Sequence, residues 1–240
     1  VPDSPARSVH VVGDSTAAPK GAGAAPETGW GMALGYYLAD GVAVANHARN
    51  GRSTRSFAAQ GLLDAALDAV RPGDVFLVQF GHNDAKESDP ERFTEPWSTY
   101  AANLRDYVAR ARDAGAVAVL ATPVERRSFD DDGWALPSHG EYPDAMRSVA
   151  DDLDVPLVDV QRASLALWQE LGPRTTAEYF LHAPDGRKDN THFNPPGAGA
   201  IARIVATGLH RADVLADHEV RRLDEEVPAE WFAWLPQDPA

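Results

Sequence analysis

Short apolar runs separated by longer amphipathic stretches frame this chain. Val9-His10-Val11-Val12, residues 42–47, Val75-Phe76-Leu77-Val78-Gln79-Phe80, residues 116–121 and Leu157-Val158-Asp159-Val160 are each of strand length. The third is the most apolar, as a central parallel strand buried on both faces requires. Helical spacing of Trp30, Met32, Ala33, Tyr36, Tyr37 and Leu38 predicts a helix over 29–40. A second runs from an N-cap at Ser56 through Leu62, Leu63, Ala66, Leu67 and Val70 until Pro72-Gly73 stops it. Further helices are predicted through Tyr100, Leu104, Tyr107, Val108 and Ala111, over 144–153, over 163–171 and over 198–210. Pro195-Pro196-Gly197 opens the last of these.

Residues 17–28, rich in Gly, Ala and Pro, read as a loop, as do the charged stretch 85–96 and residues 183–194. Residues 129–143 read as an insertion. Five strands alternating with helices imply a parallel sheet covered on both faces. No repeat or linker divides the chain, so residues 1–240 are expected to form one domain. The charged tail 213–240 ends in Trp231, Phe232, Trp234 and Leu235, expected to pack on the body or on a partner.

Composition narrows the chemistry. The chain has no cysteine, which excludes disulfides, thiolate metal sites and a cysteine nucleophile. A formal net charge of −14 opposes nucleic acid as a bulk partner. No apolar run approaches the length of a membrane span, so no membrane partner is expected. The first residues show neither a basic nor an apolar region, and location stays open between the cytoplasm and secretion with a leader removed. Against the acidic background, Arg49, Arg52 and Arg55 fall in a stretch without acids, and Arg126-Arg127 forms a second basic spot. These read either as solvated surface or as clusters that receive an anionic substrate.

The strongest chemical signal follows the first strand, where Gly13-Asp14-Ser15-Thr16 places a serine at the carboxyl end of a parallel strand. A serine hydroxyl needs a base, and the base needs an orienting carboxylate. Asp189 and His192 in Asp189-Asn190-Thr191-His192 supply both, so Ser15, His192 and Asp189 form a candidate triad. The backbone N–H groups of Ser15 and Gly51 and the amide of Asn83 are candidate donors to an oxyanion. Standing alone, Gly51 would read as a turn glycine and Asn83 as a turn cap.

Gly13-Asp14-Ser15, Gly51, Gly81-His82-Asn83-Asp84 and Asp189-Asn190-Thr191-His192, in that order, resemble the four blocks of the SGNH hydrolase superfamily, the GDSL esterases. Gly-Asp-Ser-Thr, Arg-Asn-Gly-Arg-Ser-Thr around Gly51, Phe-Gly-His-Asn-Asp and Thr122-Pro123-Val124-Glu125-Arg126-Arg127 look more particularly like the rhamnogalacturonan acetylesterases. The resemblance implies a flavodoxin-like three-layer α/β/α sandwich with a central five-stranded parallel sheet, and no required cofactor. It also implies a serine esterase that removes O-acetyl groups from pectic galacturonic acid residues through an acyl-enzyme. Ser15 would be the nucleophile, His192 the base and acid, and Asp189 its carboxylate, with Ser15, Gly51 and Asn83 as the oxyanion hole. His82 would stand behind these groups or face substrate, while Asp84 supports Asn83 and Asp14 braces the turn. Arg49, Arg52, Arg126 and Arg127 would meet the acidic polysaccharide.

Three other readings compete. An acetylxylan esterase, lysophospholipase or acyl-thioesterase would share the four blocks, the last two needing an apolar groove. A non-hydrolytic phosphate or cofactor binder would use the turn after the first strand. A metal site could be built from His82, Asp189 and His192.

Overall fold

The central strand is β3 (Val75–Gln79), all five of whose residues are buried. It belongs to a computed structural model that describes residues 7–182, 186 and 188–232. With β1 (Arg7–Gly13), β2 (Val42–Asn46), β4 (Val117–Ala121) and β5 (Leu157–Val158) it forms a sheet of order β2-β1-β3-β4-β5 in which every neighbouring pair is parallel. This is the flavodoxin-like order, whose direction reverses between β1 and β3 and opens a crevice at their carboxyl ends.

Strand periodicity builds the three layers. Val9 and Val11 of β1, Val75 and Leu77 of β3, and Val119 and Ala121 of β4 point into one core. Val12, Phe76, Val78, Ala118 and Leu120 point into the other. Alternate side chains of a strand take opposite faces, so each core needs its own helical cover. The first is covered by α5 (Val160–Thr176) and α6 (Pro195–Arg211), through Trp168, Ile201 and Val205. The second is covered by α1 (Thr54–Ala59), α2 (Leu62–Leu67), α3 (Ala101–Asp113) and α4 (Tyr142–Leu153), through Phe57, Leu63, Leu104 and Met146. The fold is therefore a three-layer α/β/α sandwich, as the strand–helix alternation implies.

Several local expectations are corrected. Residues 29–40 hold no α-helix but two 3₁₀ turns, Trp30–Met32 and Leu34–Tyr37. A Cβ on Gly29 or Gly31 would overlap the Ala18 carbonyl or the Asn46 side chain, and the Trp30 N–H donates to the distant Thr16 carbonyl instead of within a helix. Close packing on the turn after β1 thus overrides the helical pattern. The helix expected from Ser56 begins earlier and breaks. Ser53 is the N-cap, and Ser56 closes a capping box with it, each side chain accepting the other's backbone N–H. Gly61, at φ +70°, separates α1 from α2.

The expected loop 183–194 also differs. Lys188–Phe193 is a strand, β7, antiparallel to β6 (Phe180–His182). Its polar sequence carries no strand pattern because only Phe193 enters the core. Residues 183–185 and 187 of that stretch lie outside the described residues, as do Trp234 and Leu235. The described part of the tail runs back over the body: Val220 bridges Leu38, the Trp231 ring meets Tyr36 edge-on at 5.4 Å, and Phe232 is buried.

Candidate active site

The carboxyl ends of β1 and β3 flank the point where the strand order reverses, and both carry chemistry. After β1 the chain turns sharply, with Ala17 N–H and Ala18 N–H donating to the Asp14 carbonyl. The Asp14 side chain fixes the turn from beneath, its Oδ1 accepting the Thr16 N–H (2.9 Å) and hydroxyl (2.8 Å). Burial pushes the Asp14 carboxyl up, but the adjacent His82 imidazole and the Thr16 donors outweigh it and hold it at about 2. His82 lies with Nδ1 3.2 Å from Asp14 Oδ2 and its ring edge-on to His139. Its side chain is only 4% exposed, so His82 faces Asp14 behind the turn and not the solvent-side mouth of the site.

Ser15 projects the other way. Its Oγ is 2.8 Å from His192 Nε2, and His192 Nδ1 is 2.8 Å from Asp189 Oδ2. The hairpin of β6 and β7 makes this possible, bringing residues 177 positions apart in sequence into contact. Asp189 Oδ1 also accepts the backbone N–H groups of Thr191 (2.8 Å) and His192 (2.9 Å). Partial burial raises the Asp189 carboxyl, but these hydrogen bonds bring it below its ordinary value. An ionised carboxylate can only accept, so His192 Nδ1–H donates to it and Nε2 is left to accept the Ser15 hydroxyl proton.

The three candidate oxyanion donors have capacity to spare. Among the described residues, neither the Ser15 nor the Gly51 N–H meets an acceptor. Gly51 adopts φ +74°, which a residue with a Cβ reaches only under strain, and the Arg92 guanidinium lies 3.5 Å from where that Cβ would be. Asn83 Nδ2 gives one hydrogen to the Arg52 carbonyl at 3.0 Å and keeps a second.

The Gly51 and Asn83 segments are tied together by Asp84. Its Oδ1 accepts the Thr54 N–H (3.0 Å), the Thr54 hydroxyl (2.6 Å) and the Thr94 hydroxyl (2.9 Å). Burial dominates these bonds, and with Asp14 nearby it lifts the Asp84 carboxyl from 3.8 to about 7. The folded state holds this proton where the unfolded chain releases it, so Asp84 subtracts stability as pH climbs from about 4 to about 7. Asp84→Asn is therefore expected to gain stability relative to the native protein across that range. Denaturant unfolding of both proteins at pH 4.5 and pH 8 checks this, and a pH-independent difference would contradict it.

The arginines anticipated from sequence sit around these groups. Arg49 N–H donates to the Gly13 carbonyl, Arg52 supplies the carbonyl bound by Asn83, and Arg55 donates to the Pro90 carbonyl. Arg126 reaches the Ser138 carbonyl, and Arg127 bonds Asn190 within β7 as well as the Pro173 carbonyl. Among the described residues, no carboxylate lies within ion-pair distance of any of the five. In a chain with 36 acidic residues and only 22 lysines and arginines, arginines without a carboxylate partner stand out, although their guanidinium groups donate to protein acceptors, Arg127 through all three nitrogens.

Sequence reading passed over Arg92 and Lys20. Lys20 and Glu27 are the only charges in the small-residue loop 17–28, which singles them out without showing what they meet. Among the described residues no group of three or more His, Asp or Glu side chains could hold a metal, and His82 is not brought beside His192. No helix among them is long and apolar enough to cross a membrane.

A serine hydrogen-bonded to a histidine and, through it, to a carboxylate at the carboxyl edge of an α/β sheet is the equipment of a carboxylic ester hydrolase. The comparisons agree: residues 11–200 match the GDSL-like Lipase/Acylhydrolase family, and the chain belongs to that family. It is 40% identical over 227 residues to the rhamnogalacturonan acetylesterase RhgT of Bacillus subtilis, covering 91% of this chain and 96% of that one. The crystal structure of Bacillus subtilis YxiM superposes with a TM-score of 0.77 at 29% identity, over 87% of this chain and 57% of that one. An acetylxylan esterase of Geobacillus stearothermophilus, Axe2, shares the fold with a TM-score of 0.58 at 16% identity, over 88% and 95% of the two chains.

Proposed function

We propose that this protein is a serine acetylesterase that removes O-acetyl groups from acidic pectic polysaccharide, on rhamnogalacturonan-type galacturonic acid residues. The observation that carries the chemistry is the hydrogen-bonded chain Ser15–His192–Asp189. Ser15 Oγ attacks the acetyl carbonyl carbon while its proton passes to His192 Nε2, and Asp189 stabilises the imidazolium. The carbonyl oxygen, now negative, takes hydrogen bonds from the N–H groups of Ser15, Gly51 and Asn83. The bond to the sugar oxygen then breaks, and His192 returns its proton to that oxygen. Water attacks the acetyl-serine with His192 as base, releasing acetate and restoring Ser15. No cofactor is needed for any step.

Support for the acidic sugar comes from the arginines that lack carboxylate partners and from the 40% identity to a rhamnogalacturonan acetylesterase. Galacturonate carboxylates would accept the bidentate bonds that guanidinium groups offer. Acetate release from acetylated rhamnogalacturonan and acetylated xylan, with Ser15→Ala as control, tests the reading. Serine-dependent release favouring the pectic polymer is expected. Preference for xylan would overturn the substrate, and no turnover of either polymer or of a short acetyl ester would overturn the esterase itself.

The charge argument makes a separate prediction. Arg52→Ala and Arg127→Ala should each raise KM for the acidic polymer by about 3- to 10-fold, an effect that weakens with added salt. Turnover of neutral 4-nitrophenyl acetate should stay unchanged. Equal losses on both substrates would show that these arginines serve structure and not substrate charge.

A further inference from the structure

Lys20 is a buried cation at the base of this site. Its side chain is 1% exposed, and its ammonium meets Ser15 O at 2.8 Å, Asn50 Oδ1 at 2.6 Å and Glu27 Oε1 at 2.7 Å. An ammonium has three hydrogens, and here three acceptors take them. Removing such a charge from water is costly unless it is paired and fully hydrogen-bonded, so the arrangement is built and not incidental. What it joins is specific. Ser15 is the proposed nucleophile, and among the described residues no backbone N–H reaches its carbonyl, leaving Lys20 as its partner. Asn50 precedes Gly51, so gripping its side chain restrains the peptide that presents the Gly51 N–H. Glu27 leads into Thr28, whose N–H donates at 2.8 Å to the carbonyl of Phe193, the neighbour of His192.

We propose that Lys20 is a positioning residue of the esterase, fixing the nucleophile turn against the Gly51 loop so that the Ser15 and Gly51 N–H groups converge on one oxyanion. The inference rests on the serine-esterase reading above. Through Glu27 and Thr28 the same ammonium also steadies the strand that carries His192. Its contribution is therefore made to the tetrahedral state and not to substrate binding, because the oxyanion develops only after attack.

Lys20→Met keeps the volume of the side chain and deletes its charge. For 4-nitrophenyl acetate, kcat is expected to fall by about 10²-fold with KM changed less than about 3-fold. The Ki of methylboronic acid, which forms a tetrahedral adduct on serine, should rise by a factor comparable to the loss in kcat/KM. Lys20→Arg, retaining charge and donors, should recover part of the loss. A fall in kcat/KM with an unchanged boronate Ki, or equal activity of Lys20→Met and the native protein, would overturn the proposal. If Lys20→Met fails to fold, Asn50→Ala removes one acceptor of the same bridge and should lose kcat by about 10-fold with KM retained; a change confined to KM would overturn it. These measurements start from native turnover that depends on Ser15. If that turnover is missing, the esterase reading fails and the assignment of Lys20 falls with it; where it is present, the variants judge Lys20 alone.

Discussion

Ser15→Ala is expected to lower kcat for acetyl-ester hydrolysis by about 10⁴-fold or more, and His192→Ala to do the same. Each removes a member of one hydrogen-bonded chain, in which His192 stands 2.8 Å from both neighbours. Groups that act as a unit are non-additive, so Ser15→Ala/His192→Ala should be little worse than either single variant. Neither substitution should unfold the protein. Ser15 and His192 are both partly exposed, and the Asp14–Thr16 hydrogen bonds that hold the turn do not involve the Ser15 hydroxyl. Steady-state kinetics with 4-nitrophenyl acetate, beside circular dichroism, gives the answer. A Ser15→Ala variant retaining a tenth of native activity would remove Ser15 as nucleophile.

Asn83→Ala should cost about 10²- to 10³-fold in kcat, with KM little changed, because an oxyanion donor works mainly in the transition state. Part of any loss could arise from the broken bond to the Arg52 carbonyl, which ties the Asn83 turn to the Gly51 loop. Asn83→Asp loses the same bond to the Arg52 carbonyl and adds a charge effect of its own. It keeps the size of the side chain but replaces the donor with an acceptor that repels a developing negative charge. Activity of Asn83→Asp should therefore fall at least as far as that of Asn83→Ala. Retained kcat in both variants would leave the oxyanion to the backbone donors alone.

The arrangement of His82 and Asp84 has a physical logic of its own. Two carboxyls, Asp14 and Asp84, are fully buried behind the nucleophile turn, and one is held at about 2 while the other is raised to about 7. Asp14 has the His82 imidazole beside it; Asp84 has only neutral donors. Like charges in a common low-dielectric region push apart in titration, and the imidazole decides which carboxyl keeps its charge. Both side chains nevertheless serve the same end, which is to hold Ser15 and Asn83 still on adjacent strand ends.

Reading along the chain reached the parts that local chemistry specifies. The apolar runs of β1, β3 and β4 alternate because a strand places neighbours on opposite faces, and that period is visible without coordinates. Ser15, Gly51 and Asn83 stand where strands end, so strand placement alone brought them to one edge. Asp189 and His192 were legible as a pair from their spacing and from the family blocks. Their strand was not, since β7 is held by backbone pairing to β6, and its polar side chains follow no hydrophobic alternation. Residues 29–40 show the opposite failure: a helical pattern is present, but Gly29 and Gly31 must approach the nucleophile turn too closely for a helix to form. Lys20, Arg92 and the burial of His82 lay beyond the sequence for a related reason. A lysine among small residues looks the same whether it points into solvent or into a cage of three acceptors. Local pattern was enough for the five strands of the central sheet, the class of fold and the residue types available for ester hydrolysis. Which charges meet depended on tertiary packing, because burial and pairing arise from contacts between segments far apart in the chain.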